Sequence, residues 1–196
     1  GDAEIISTAQ AVEWFDIDAV GRAAARFDFA KLANLNGHYL REAPDARLAS
    51  LLAPRLEQAL GQPLDGQQQA RLLAGIPGLK PRAKTLIELA DNARFYVERR
   101  PIPLDDKAKA LLSADARRLL AELLPALAGA GWSAPALEEL VRGFAEGRGL
   151  KLGAVAQPLR AALAGSTSSP PIFEVMAVLG RDETLARLRD SAAKEA

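Results

Sequence analysis

Residues 159–180 read LRAALAGSTSSPPIFEVMAVLG, and the punctuation of that stretch decides the fold. Leu159–Ala164 is a helix-forming run, and Gly165 is placed to end it as a left-handed cap. Ser166, Thr167, Ser168 and Ser169 make a polar turn. Pro170 and Pro171 bar helix behind them and pre-set φ for a new helix that runs to Leu179. Two helices therefore hold a short turn that offers hydroxyls, backbone groups and proline rings. Such a turn suits the reading of splayed bases in an RNA loop. It serves equally as a plain connection between helices.

The same punctuation recurs through the chain. Arg99-Arg100-Pro101-Ile102-Pro103-Leu104-Asp105 is the clearest linker, because two prolines exclude helix. After it, apolar spacings of three and four predict helices at about Asp106–Leu111, Ser113–Ala128, Ala134–Glu146, Lys151–Ala164, Pro171–Leu179 and Arg181–Ala193. Leu119, Leu120, Leu123, Leu124 and Leu127 form one apolar face, and Leu137, Leu140, Val141 and Phe144 the next. Before the linker, Ser7 or Thr8 caps a short helix through Trp14 and Phe15, a turn-containing loop spans Asp16–Phe27, and Asp28 caps a helix buried along Phe29, Leu32, Leu35, Tyr39 and Leu40. Asp45–Leu60 is a helix with Leu48, Leu51, Leu52, Leu56 and Leu60 inward and a kink or break at Pro54. Asp65 caps Gln67–Leu73, the Gly/Pro run at 75–81 is a loop, and a helix carries Arg82 through to about Val97. The fold class is all-α: short helices packed as bundles.

Composition bounds the chemistry. The chain has 196 residues with 25 basic and 25 acidic side chains, so no global field draws nucleic acid, and a basic face would have to be local. With no Cys, disulfides, thiolate chemistry and zinc ribbons are excluded, and one His removes most histidine-based metal and triad schemes. No apolar run approaches the roughly 20 residues that cross a bilayer. No signal peptide is visible, so a cytoplasmic protein without membrane contact is expected. The sequence begins with Gly1 and its only Met is Met176, which predicts a piece of a longer protein.

Two motifs carry a resemblance. Leu159-Arg160-Ala161-Ala162-Leu163-Ala164-Gly165, the serine turn, Ser169-Pro170-Pro171-Ile172-Phe173-Glu174 and Leu179-Gly180 resemble the closing segment of bacterial glutamyl-tRNA synthetases: L-R-x-A-L-T-G, an S/T turn, S/T-P-x-[LI]-F-E and a Leu-Gly step. Phe27-Asp28, Lys31-Leu32, Leu35-Asn36 and Tyr39-Leu40 resemble the F-D-x-x-K-L-x-x-L-N-x-x-Y-[IL] run that ends the family's stem-contact region. Two departures stand out: Ala164 where the family usually has Thr, and Asn34 where it usually has Trp. The resemblance spans about Phe27 to Leu188.

It implies a remnant of the stem-contact region over residues 1–46, a first helical anticodon-binding subdomain over 47–104 and a second over 105–196. It further implies a parent enzyme, a monomeric class I glutamate–tRNA ligase using ATP and Mg²⁺, with tRNA-Glu rather than DNA as partner. By the same resemblance Arg82 is the candidate for reading the last anticodon base, Arg160 faces the anticodon, Ser169 and Pro170 contact bases, and Ile172 packs against the first. An arginine fork can hydrogen-bond a base edge or a phosphate bidentately, which suits both cations. The class I lysyl-tRNA synthetases, with a similar helical cage, are one alternative; a helical protein-interaction module is another.

No catalytic motif is visible in the chain. Gly37-His38-Tyr39-Leu40 lacks the small residues of a HIGH signature, nothing resembles KMSKS, and there is no P-loop or GxGxxG. His38, without a neighbouring ligand cluster, reads as structural, and Asp105-Asp106 reads as a helix cap rather than a metal site. Glu138-Glu139 reads as a solvated face, and Trp14 and Trp132 as packing aromatics. Neither a cofactor nor a catalytic residue is expected in this chain.

Overall fold

The computed structural model describes residues 5–21 and 26–192. Gly1, the middle of the expected 16–27 loop and the final residue of the expected Arg181–Ala193 helix lie outside the described residues. Eleven α-helices and no strand occur among the described residues. Most helix starts obey one rule, a short polar side chain accepting from the first-turn amides. Ser7 and Gln10 form a capping box on α1 (Thr8–Trp14), and Asp28 accepts from Ala30 and Lys31 to start α2 (Phe29–Glu42). The segment at 17–19 of the expected loop closes as a 3-10 turn.

The helices that build the core follow. They are α3 (Asp45–Leu60), α4 (Gly66–Leu79), α5 (Leu86–Val97), α6 (Asp106–Leu111), α7 (Ala114–Ala128), α8 (Ala134–Glu146), α9 (Leu152–Ala164), α10 (Ile172–Leu179) and α11 (Arg181–Ala192). Helices α3, α4 and α5 pack on one another, and α7, α8, α9, α10 and α11 make the second group. Helix α4 also meets α10, and α5 touches α9, so one apolar cluster runs from Leu40 to Leu188.

Several expectations need correction. The 75–81 run is not a loop: α4 continues to Leu79 through Pro77, then a 3-10 turn covers Lys80–Arg82. Tertiary packing outweighs the local propensity. Ile76 and Leu79 are fully buried, and Gly75 lets the Tyr96 ring lie where a Cβ would sit 2.4 Å from it. Burial, with Glu174 nearby, holds the Tyr96 phenol well above its ordinary value. Arg82 consequently closes the 3-10 turn, and α5 begins only after its cap Thr85. Pro54 neither breaks nor shortens α3, and of its leucines Leu51 stays half-exposed while Leu48, Leu52 and Leu56 are buried. The expected apolar face of α2 is largely open: Phe29 is 76% exposed and Leu32 47%, and only Leu40 and Gly37 are buried. Trp14 is likewise 55% exposed rather than packed. Trp132 does pack, donating its indole N–H to the Met176 carbonyl at 3.1 Å.

The 98–105 linker is free of helix and contains a cis Arg100–Pro101 bond. Asp105 ends it by capping α6, accepting from the Ala108 amide at 2.6 Å. That hydrogen bond, and a second from Ser166, hold the Asp105 carboxyl below its ordinary value. A depressed carboxylate stabilises the fold above its unfolded pKa, and the contribution disappears as pH falls through the folded value. The stability gap between wild type and Asp105→Ala is therefore expected to shrink from about neutral pH to about pH 3, the carboxylate range. Urea titrations at several pH values check this; a gap that is constant or grows on acidification contradicts it.

Candidate nucleic-acid interface

A cavity of about 480 Å³ opens between α5, the 3-10 turn ending at Arg82, the linker at Ile102-Pro103 and the serine turn. Arg82, Ser168, Ser169 and Pro170 line it, facing Asp91, Asn92 and Glu98 of α5 and the following cap. Local chemistry sets each wall. Gly165 takes φ +70° to end α9, which swings the chain into the serine turn. Ser168 donates its amide to Ser166 Oγ at 3.3 Å, tightening that turn. Gly78 of α4 lets Pro170 approach, its hypothetical Cβ lying 3.3 Å from the proline ring.

Arg160 does not line the cavity. Its Nη1 donates to the Ser169 carbonyl at 3.0 Å, to the Pro170 carbonyl at 2.9 Å and to Ser169 Oγ. It stands behind the turn and locks it. Burial, and then the nearby Arg82 cation, pull its guanidinium below the ordinary value, so the two cations are electrostatic neighbours. Arg82 itself is exposed and has no hydrogen-bond or ion-pair partner among the described residues. A free guanidinium with a second cation close behind it is a local positive site in a chain of zero net charge.

The remaining predicted residues are placed differently from one another. Ser169 is only 8% exposed, and its hydroxyl is committed to Arg160 and to the Pro170 carbonyl at 2.7 Å. Ile172 is 4% exposed and belongs to the core at the start of α10, so here it offers no stacking surface. Pro170 is buried against α4 with one edge on the cavity. The structure thus brings Arg82, Ser169 and Pro170 to one cavity, sets Arg160 behind it and withdraws Ile172.

Sequence reasoning passed over Ser168, an exposed residue that lines the cavity, and the α5 residues Asp91 and Asn92. For α5 a signal existed: positions 91, 95 and 98 share a face opposite buried Leu89, Ala93 and Tyr96. His38 pairs with Glu42 at 3.2 Å along α2. Among the described residues no group of three or more His, Cys, Asp or Glu is placed to hold a metal ion.

These features define a helical domain with a mixed polar and apolar cavity at the junction of two helix groups, lined by Arg82, the serine turn and the α5 side chains. The family model described as "Anticodon binding domain" matches residues 47–192, and the chain belongs to that family. It is 60% identical over 192 residues to glutamate–tRNA ligase 2 of Rhodospirillum centenum, covering 97% of this chain and 41% of that protein. It is 57% identical over 199 residues to glutamate–tRNA ligase 1 of Xanthobacter autotrophicus, with 98% and 42% covered. A crystal structure of the glutamate tRNA ligase from Elizabethkingia meningosepticum, in complex with its amino acid, superposes with a TM-score of 0.82 at 25% identity, covering 98% of this chain and 38% of that one. The chain thus spans about two-fifths of the length of these relatives.

Proposed function

We propose that this chain is the C-terminal, anticodon-binding part of a glutamate–tRNA ligase, and that it binds the anticodon loop of tRNA-Glu in the cavity between α5 and the serine turn. The observation that carries the reading is the convergence of Arg82 and the serine turn on one cavity inside the matched 47–192 region. Single-stranded bases need donors and acceptors for their Watson–Crick edges, which Arg82, Asn92 and the Ser168 hydroxyl supply. Correct bases satisfy those groups, and wrong ones leave them unpaired, which is where discrimination arises. Arg160 acts by fixing the Ser169 and Pro170 backbone, while Ile172 supports the turn from within the core. Residues 47–104 and 105–196 are the two subdomains of the cage, and residues 1–46 continue a stem-contact region.

The whole protein would be a cytoplasmic, monomeric enzyme that attaches glutamate to tRNA with ATP and Mg²⁺. That chemistry belongs to the part outside this chain, and no residue here is assigned a step in it. The names of the similar proteins favour the glutamate over the class I lysine ligases.

Titrating a labelled tRNA-Glu transcript with the chain at low salt tests the proposal. Arg82→Ala is expected to weaken binding about 5- to 150-fold, as for loss of a forked base contact worth about 1–3 kcal/mol. Arg160→Ala is expected to weaken it less, by loosening the turn. No shift with wild-type protein, or an unchanged shift with Arg82→Ala, sinks the reading.

A further inference from the structure

The five residues Lys80-Pro81-Arg82-Ala83-Lys84 form a strap that brings Arg82 to the cavity, with one end tied to the α2–α3 junction and the other to α2. At one end Lys80 Nζ lies 2.7 Å from Asp45 Oδ1 and donates to the Ala43 carbonyl at 3.2 Å. At the other, Lys84 Nζ donates to Asn34 Oδ1 of α2 at 3.0 Å, and the Asn36 amide donates back to the Lys84 carbonyl. Between the ties, Ala83 is buried and Pro81 has a fixed φ. The Lys84 amide also donates to Glu88 at 2.7 Å, joining the strap to the first turn of α5. Arg82 alone points its side chain into the cavity, unpaired.

We propose that Lys80 and Lys84 are positioning residues for Arg82: they spend their ammonium groups on α2 and on the α2–α3 junction so that the arginine is presented to RNA in one place. The inference rests on the reading of Arg82 as an RNA contact. A long side chain reads a base edge only if its backbone is held to within about half an ångström, and a strap tied at one end would pivot. Neither ammonium is directed at the cavity. Any displacement of α2 is carried to Arg82 through these bonds, so the strap couples the stem-side helix to the anticodon cavity.

A double-mutant cycle on the chain tests this, read by tRNA-Glu titration with thermal melting alongside. Lys84→Met is expected to weaken binding about 5- to 10-fold, within the range of coupling between contacting residues. In an Arg82→Ala background it is expected to cost nothing further. Asn34→Ala removes the same tie without touching any cation, and is expected to show the same loss and the same dependence on Arg82; it also serves should Lys84→Met fail to fold. Lys84→Arg is expected to restore binding. Equal losses from Lys84→Met in both backgrounds, with a salt slope reduced by about one, would show that the lysine meets phosphate itself and overturn the proposal. Full affinity in Asn34→Ala overturns it too. Should Arg82→Ala itself leave binding unchanged, the reading of the site fails first and this inference with it.

Discussion

Replacing Arg187 by alanine is expected to lower the unfolding free energy by about 3–5 kcal/mol, as several buried acceptors are each left without a donor at about 1–3 kcal/mol. For a chain of this size that is a fall in melting temperature of about 10 °C. Arg187 is 1% exposed and lies on α11, yet its guanidinium serves two other helices. Nε donates to Glu183 at 2.7 Å, and Nη1 to the Leu163 carbonyl at 2.7 Å and the Phe95 carbonyl at 2.8 Å. Leu163 stands in the last turn of α9, and Phe95 in that of α5. Carbonyls there have no partner within their own helix, and the negative ends of both helix dipoles converge on them. One buried cation therefore caps two helices from different helix groups. Burial pulls its pKa down, and Glu183 opposes that shift.

The cost of the alanine variant comes from what remains behind. Three carbonyls, those of Phe95, Leu163 and Glu98, lose their donor and the core gains a cavity, while Glu183 keeps Arg71 at 3.4 Å and Arg100 at 3.9 Å. Orphaned acceptors, rather than an orphaned carboxylate, thus supply most of the loss. The control is Arg142→Ala, which breaks an exposed pair with Glu138 and should cost under about 0.5 kcal/mol. Paired urea denaturation curves decide the matter, and a loss below about 1 kcal/mol for Arg187→Ala would remove its role as a clamp.

Nothing in Arg187-Leu188-Arg189-Asp190 distinguishes the first arginine from a surface one, and the sequence offers no warning of its burial. Local grammar was legible: caps such as Ser7, Asp28 and Asp65, and the stop at Gly165, carry their mechanism within a few residues. Errors came where distant packing overruled that grammar. Gly75, Pro77 and Gly78 read as loop because their neighbours Tyr96 and Pro170 lie far along the chain. The site divides in the same way. The serine turn was visible because a Gly/Ser/Pro turn is a local fact, whereas Arg82 was singled out only through the family resemblance; that it is unpaired is a fact of the fold. That Arg160 is consumed by the turn, and that Ile172 is interior, depends on how α9 and α10 meet. The open face of α2 has the opposite lesson: periodicity marks a face able to be buried, and the described residues bury only its C-terminal end.

Gly165→Ala is expected to destabilise the chain by about 2–4 kcal/mol and to weaken tRNA binding beyond what stability alone explains. Two separable costs meet at this residue. The first is conformational: φ is +70°, where an alanine costs about 1–2 kcal/mol. The second is contact. A Cβ on Gly165 would lie 2.2 Å from the Pro103 carbonyl oxygen, a backbone atom that cannot swing aside. Either the serine turn or the linker must move, and the Asp105 amide that donates to the Gly165 carbonyl at 2.8 Å moves with it. Both displaced segments line the cavity. Gly61 separates the two costs, because it has the same φ of +70° with nothing within 4 Å of its hypothetical Cβ. Gly61→Ala should therefore cost only the conformational part, about 1–2 kcal/mol, and leave tRNA affinity unchanged. If the two alanine variants lose equal stability, the linker does not press on the turn as closely as its geometry requires. If Gly165→Ala binds tRNA-Glu as tightly as Gly61→Ala, the shape of the serine turn is irrelevant to RNA, and the cavity it walls is not the place where the anticodon is read.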